Sequence, residues 1–195
     1  DLLLASGRGD SAAFETLYGR FAKPIFNFFY RMCGNPVVAE DCAQEVFMRV
    51  WKAAPTWRPE AKVSTYFFAI AQNYWLNERA KASHRPVPFT TLGPADPEAG
   101  SGEGPVPAVS KMPAPSDRLA GAELTQAVRQ AIDSLPEKEK IVVILGEIQG
   151  MKYREIAEVL SIPVGTVKSR MSEATRRLRI ALGPLVEPPD EKPAQ

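Results

Sequence analysis

The sequence predicts an all-α protein: two small helical domains joined by a disordered linker. Three observations carry that expectation. Apolar residues recur at steps of three and four in both halves, the period of one helix face. No apolar–polar alternation of useful length marks a β-strand, which argues against an α/β enzyme fold. Between the halves, Pro86 to Ser116 holds eight of the 18 prolines, four glycines and a single aromatic, Phe89. Such a stretch buries too little apolar surface to offset its conformational entropy. The expected division is a first domain over 8–85, a linker over 86–116, a second domain over 117–183 and a disordered tail over 184–195. Fully extended, the linker reaches on the order of 100 Å, so the halves need not touch.

The elements follow in order. Phe14, Leu17, Tyr18, Phe21, Ile25, Phe28, Phe29 and Met32 form one helical face, which Pro24 should kink or divide. Asn35-Pro36 ends that element and starts the next, with Pro36 near the first helical position. Val38, Cys42, Val46 and Val50 make the inward stripe of the second helix. Ala54 to Lys62, with Pro55 and Pro59, reads as a loop, and Ser64 or Thr65 is placed to cap a third helix running to about Ser83. In the second half, a helix from about Leu119 stops at Leu135-Pro136. Another spans about Glu137 to Ile148 and ends at Gly150. A short helix from Tyr153 to Leu160, a turn at Ser161-Ile162-Pro163 and a last helix from Val164 to about Leu182 complete the chain.

Composition narrows the function. The 195 residues are 45% hydrophobic and 24% charged, an ordinary soluble composition. No run approaches a membrane span, and Leu2-Leu3-Leu4 is too short for a signal-peptide core, so membrane insertion and export are not expected. The chain lacks an initiator methionine, which suggests trimming. Two cysteines, Cys33 and Cys42, make neither a disulfide framework nor a four-ligand zinc site. They read as small core residues of a reduced, cytoplasmic protein. One histidine, His84, leaves no His-based triad or metal centre, and no cofactor is expected. The net charge of +1 hides an asymmetry: residues 10–88 carry ten Lys/Arg against seven Asp/Glu, and 117–183 carry eleven against nine. The linker and tail are acidic, so the domains are mildly basic, which permits nucleic-acid binding.

Three motifs carry chemistry. Tyr153 to Arg170 has the geometry of a helix-turn-helix, with Ile156, Ala157 and Leu160 packing against Val164, Val167, Met171, Ala174 and Leu178. Lys168, Ser169, Ser172 and Arg176 then point outward, with Arg170 and Arg177 flanking, placed for phosphates and base edges. A helical hairpin with a solvated basic face is the competing reading, and cations in the last turn also suit the helix dipole. In the second motif, 39–51, Asp41, Gln44, Glu45 and Met48 lie outward beside Phe47 and Trp51, a pattern suited to protein docking. On the residues alone, the preferred reading is that Phe47 and Trp51 are core and the acids a solvated face. The third motif, 64–81, sets Tyr66, Phe67, Phe68, Tyr74 and Trp75 among Gln72, Asn73 and Asn77, with Arg79, Lys81 and Arg85 following. Aromatics stack on unpaired bases, amides read base edges and cations hold the backbone, so this is a candidate single-strand site; an over-packed core helix is the alternative.

These blocks, in this order, resemble a bacterial sigma factor of the extracytoplasmic-function (ECF) group, which keeps only sigma regions 2 and 4. Glu40-Asp-Cys-Ala-Gln-Glu-Val-Phe47 resembles the region 2.2 motif, Tyr66-Phe67 with Ile70-Ala-Gln-Asn73 the promoter-melting segment, and 153–178 the region 4 helix-turn-helix. The resemblance implies no catalytic residue. It implies a docking set of Asp41, Gln44, Glu45, Phe47 and Trp51 for the β′ clamp of RNA polymerase, with region 4 meeting the β flap. It further implies a −10 set of Tyr66, Phe67, Gln72, Asn73, Asn77, Arg79 and Lys81, and a −35 set of Thr166, Lys168, Ser169, Arg170, Ser172, Arg176 and Arg177. The partners would be core polymerase, promoter DNA and an anti-sigma factor. Departures from the family pattern include Tyr66 for Trp, Gln72 for Arg, Asn77 for Asp, and Ser172-Glu173 where aromatic or His and Arg are common, so the promoter sequence does not transfer. The alternative is a free-standing helix-turn-helix regulator, which leaves 39–51 and 64–81 idle.

Overall fold

The structure is a computed structural model and describes residues 2–59, 61–84 and 115–186. The expected linker lies outside the described residues except for Pro115 and Ser116, and the expected tail beyond Val186 lies outside them too. Every regular element among the described residues is helical: α1 (Leu2–Gly7), α2 (Ser11–Cys33), α3 (Pro36–Ala53), α4 (Val63–His84), α5 (Pro115–Asp133), α6 (Glu137–Val143), α7 (Tyr153–Leu160) and α8 (Val164–Val186), with a short turn of 3₁₀ helix at Ala54–Thr56. None is long and apolar enough to cross a membrane.

Asp10 starts α2 by accepting from the Ala13 N–H at 3.0 Å, and Gly34, at φ 71°, ends it. Pro24 does not divide α2, which runs through it as one helix from Ser11 to Cys33. An interior proline costs about 3 kcal/mol. Ile25, Phe28 and Phe29 on the following turns are fully buried, and burying three such side chains contributes roughly 5–9 kcal/mol. The packing wins. Asn35 caps α3 through the N–H groups of Val37 and Val38, with Pro36 in the first turn.

The inward arc of α3 is Ala39, Cys42, Ala43, Val46, Phe47 and Val50. Val38, expected in that stripe, sits one residue earlier, roughly 100° round the helix from Ala39, and is 41% exposed. The expected Ser64 or Thr65 cap is also displaced. The Tyr66 N–H already bonds the Lys62 carbonyl at 3.0 Å, which puts Ser64 and Thr65 inside the first turn of α4. Burial pushes the Cys42 thiol up to about 11, with Cys33 adding to it, so Cys42 stays protonated at neutral pH and packs as an apolar group.

The second half departs from the sequence reading at its borders and at one place inside: α5 begins at Pro115, within the expected linker, and α8 runs on to Val186, so residues 184–186 of the expected tail are helical. The helix expected to run to Ile148 changes at Ile144 into a single π turn that ends at Ile148. Gly146 lies in that turn, and a Cβ there would stand 2.7 Å from the Met171 Cε, so the flexible end of that methionine would have to move aside. Gly150, at φ 67°, then turns the chain into α7.

The long linker allows the halves to separate, yet they pack together, α4 against α7. Lys62 pairs with Glu155 at 2.6 Å, and the Trp75 indole N–H donates to Glu137 at 2.9 Å. Arg79 pairs with the same Glu137 carboxylate. The Gln149 amide donates to the Pro24 carbonyl at 3.3 Å, and the Arg129 guanidinium lies 4.6 Å over the Tyr30 ring. Glu155 also accepts from the Lys152 N–H at the start of α7. The Lys62 hydrogen bond, then that of Lys152, holds its carboxyl below the ordinary carboxylate range. A folded-state pKa below the unfolded one stabilises above the unfolded value and is lost as pH falls through the folded value. Acidification to below the ordinary carboxylate range should therefore loosen the contact between halves. The distance between a fluorophore pair, one on each half, should lengthen; an unchanged distance once the carboxylates are protonated would contradict this.

Candidate nucleic-acid and docking faces

The helix-turn-helix is built from the inside out. Ile156, Ala157 and Val159 of α7 are buried against Val167, Met171 and Ala174 of α8. Leu160, Val164 and Leu178 of the expected seam are partly buried beside them. Ser161 takes the left-handed conformation at φ 51°, and the Ile162 N–H returns to the Ala157 carbonyl at 3.0 Å. The Thr166 and Val167 N–H groups both bond the Pro163 carbonyl, so α8 starts directly after the turn.

With the apolar seam inward, Lys168, Ser169, Ser172, Arg176 and Arg177 are exposed, and Thr166 and Arg170 half-buried. Ser169, Ser172, Glu173 and Arg176 share one outward face by helical spacing. The cations are not equivalent. Lys168 and Arg170 make no ion pair with the described residues, whereas Arg177 is held at 3.0 Å by Glu139 and at 3.1 Å by Glu173. Tyr153 was missed by the sequence reading. It lines an open cleft of about 410 Å³ together with Lys168, Ser172, Thr175, Arg176 and Arg179. Its signal was available: an aromatic at the first position of the first helix of the motif, beside the positive end of that helix.

The −10 candidates on α4 divide into three groups. Tyr66, Asn73, Asn77 and Lys81 form a stripe at steps of seven, four and four; the last three are exposed and Tyr66 is half-buried. Arg79 lies on another face with Trp75, turned to Glu137. Phe67 and Gln72 are corrections. Phe67 is 0% exposed, stacked on Phe21 at 4.4 Å and against Phe47 at 5.5 Å. Gln72 is 7% exposed, because it follows Ala71 and stands one turn from Phe68, both buried.

On α3, Asp41, Gln44 and Met48 are exposed as expected. Glu45 is half-buried and bonded to Arg49 at 2.8 Å, and Arg49 lies 4.7 Å over the Tyr74 ring. Phe47, expected beside Trp51 on the outer face, is 5% exposed and packs inward. Trp51 is 39% exposed, its ring edge-on to Phe14 at 4.8 Å. Tyr18 is exposed on α2 with its ring 4.7 Å from Phe47, so this aromatic extends the same face and was missed. Among the described residues no group of three His, Cys, Asp or Glu is arranged to hold a metal.

A helical chain with a helix-turn-helix at one end and an aromatic–amide helix in the other half defines a class: DNA-binding transcription proteins. The comparisons with known proteins make the class narrower. Sigma-70 region 2 matches residues 17–85 and Sigma-70 region 4 matches residues 125–178. The ECF RNA polymerase sigma factor SigW of Bacillus subtilis is 34% identical over 176 residues, covering 88% of this chain and 90% of that protein. RNA polymerase sigma-H factor of Pseudomonas aeruginosa is 31% identical over 179 residues, covering 92% and 91%. Among solved structures, CnrH in complex with the cytosolic domain of CnrY is similar with a TM-score of 0.65 at 20% identity, over 93% of this chain and 95% of that one. The sigma factor RpoE in complex with the anti-sigma factor NepR from Bartonella quintana gives 0.64 at 19%, over 87% and 96%; both show a shared fold. The chain belongs to the ECF group of the sigma-70 family.

Proposed function

We propose that α8 reads the −35 element, that the Tyr66–Lys81 stripe of α4 captures an unpaired base of the −10 non-template strand, and that the outer face of α3 docks on the β′ clamp of core polymerase while the second half meets the β flap. The exposed polar face of α8, opposite Val167, Met171 and Ala174, carries this reading. Melting is then a binding effect: unstacked bases gain aromatic and amide contacts that a duplex does not offer. Polymerisation belongs to the core enzyme, so this chain is a specificity subunit of the cytoplasm and not an enzyme. By analogy with the RpoE–NepR structure, an anti-sigma factor is a further partner.

The packed halves bear on this. α4 lies on α7 and α7 on α8, and packed helix axes sit about 8–10 Å apart, so α4 and α8 stand within roughly 20 Å. Elements near −35 and −10 are separated by about 25 base pairs, or ~85 Å at 3.4 Å each. Engaging both requires the halves to part and the Lys62, Trp75 and Arg79 contacts to break.

The test is holoenzyme binding to a promoter whose start has been mapped. Lys168→Ala should weaken every promoter alike and reduce the salt slope by about one unit, the mark of a phosphate contact. Arg170→Ala, if it removes a base contact, should relax one −35 position by ~1–3 kcal/mol. Wild-type affinity in both at low salt would place the DNA elsewhere. At the docking face, Trp51→Ala and Glu45→Ala should weaken core binding with helix content nearly unchanged, Trp51→Ala by more than ~1 kcal/mol. Phe47→Ala should instead lower the melting temperature. If Trp51→Ala unfolds the first half, Trp51 is core; if Glu45→Ala binds core like wild type, that acid is only a solvated group.

A further inference from the structure

Glu173 is the one acid on the outward face of α8, between Ser169, Ser172 and Arg176. A carboxylate there costs affinity for any phosphate backbone, so it demands a return. Its contacts are specific. Arg176 Nε donates to Oε2 at 2.9 Å and Nη2 to Oε1 at 2.6 Å, a two-pronged pairing, and Arg177 Nε stands 3.1 Å from Oε1. Arg177 has a second acid in Glu139, but no other ion pair is formed by Arg176 with the described residues. The Arg176 guanidinium is thus fixed by Glu173, with its Nε and Nη2 donors already engaged.

Resting on the assignment of α8 to the −35 element, we propose that Glu173 is a specificity residue: its carboxylate accepts from the 4-amino group of a cytosine in the major groove and holds Arg176 beside that base. Both effects favour the correct sequence. On the cognate site, the amino donor compensates the carboxylate. On any other DNA, Glu173 faces phosphates and bases without a donor and withholds Arg176 from the backbone, so non-specific binding is weakened. A cytosine is the donor chosen because a carboxylate only accepts and the cytosine edge offers an amino donor there.

The experiment uses holoenzyme, a mapped promoter with each −35 base pair replaced in turn, and a random-sequence duplex. Wild type should prefer cytosine at one position by about tenfold or more. Glu173→Ala should lose that preference at that position alone. It should also bind the random duplex more tightly, with a salt slope steeper by about one unit as Arg176 reaches a phosphate. Glu173→Gln should move the preference toward adenine, whose edge an amide matches. Unchanged melting temperatures would separate this from a folding effect, since the side chain is at the surface. If Glu173→Ala keeps the wild-type preference at every −35 position, the proposal is overturned, even if random-duplex binding rises. If no −35 replacement affects wild type and Lys168→Ala is also silent, it is the assignment of α8 to the −35 element that fails.

Discussion

Phe67→Ala should destabilise the first half by about 3–5 kcal/mol, a large share of the ~5–15 kcal/mol that holds a typical domain. The side chain is fully buried, stacked on Phe21 and edge-on to Phe47. Its loss leaves a cavity where α2, α3 and α4 meet, and close packing lets such a site collapse only partly. Tyr66→Ala, one residue earlier and half-buried, should melt near wild type and reduce promoter opening instead. Thermal unfolding followed by circular dichroism separates the pair. A Phe67→Ala chain that melts like wild type yet fails to open promoters would return Phe67 to the DNA.

Asn73→Ala should impair promoter opening by roughly 10- to 100-fold while closed-complex formation changes little, the loss of one amide–base contact of ~1–3 kcal/mol. Asn73 is exposed on α4, in register with Tyr66 and Asn77, and its donor and acceptor suit the edge of one unstacked base. Placed on the surface, it braces no core. A template with a pre-melted bubble distinguishes capture from stability: wild type should respond to the identity of one −10 base, and the mutant should not. Retained base preference in the mutant, or a simple loss of thermal stability, would remove Asn73 from the pocket.

Much of the fold was legible in the sequence because helical period and caps are local. Asn35-Pro36, Gly150 and the Ile156–Leu178 seam needed only spacing and turn chemistry. What was not legible depended on partners distant in the chain. Pro24 remains inside α2 because Ile25, Phe28 and Phe29 are buried by other helices. α1 was missed because six residues carry little period, although Leu3 is fully buried. The π turn at Ile144 sets Gly146 beside the Met171 side chain, a neighbour 25 residues away in sequence. The same division holds for the candidate site. Motifs located α3, α4 and α8, but an excess of aromatics does not say which are inside. Phe47, Phe67 and Gln72 proved to be inside, while Tyr18, outside the motifs, and Tyr153, at the first position of one, joined the exposed faces. Contacts such as Trp75 and Arg79 to Glu137 join residues on either side of the linker and leave no local trace.

On the proposed reading, this chain selects promoters for a polymerase it does not itself replace. In-vitro transcription of genomic fragments by core RNA polymerase, with and without the full chain, tests it most directly when the starts are mapped. Discrete new starts should appear only with both components, share sequence near −35 and −10, and be lost with Asn73→Ala on duplex templates. Tight binding of the chain to promoter duplex without core, together with unchanged starts when it is added, would rule out a specificity subunit and favour a free-standing regulator.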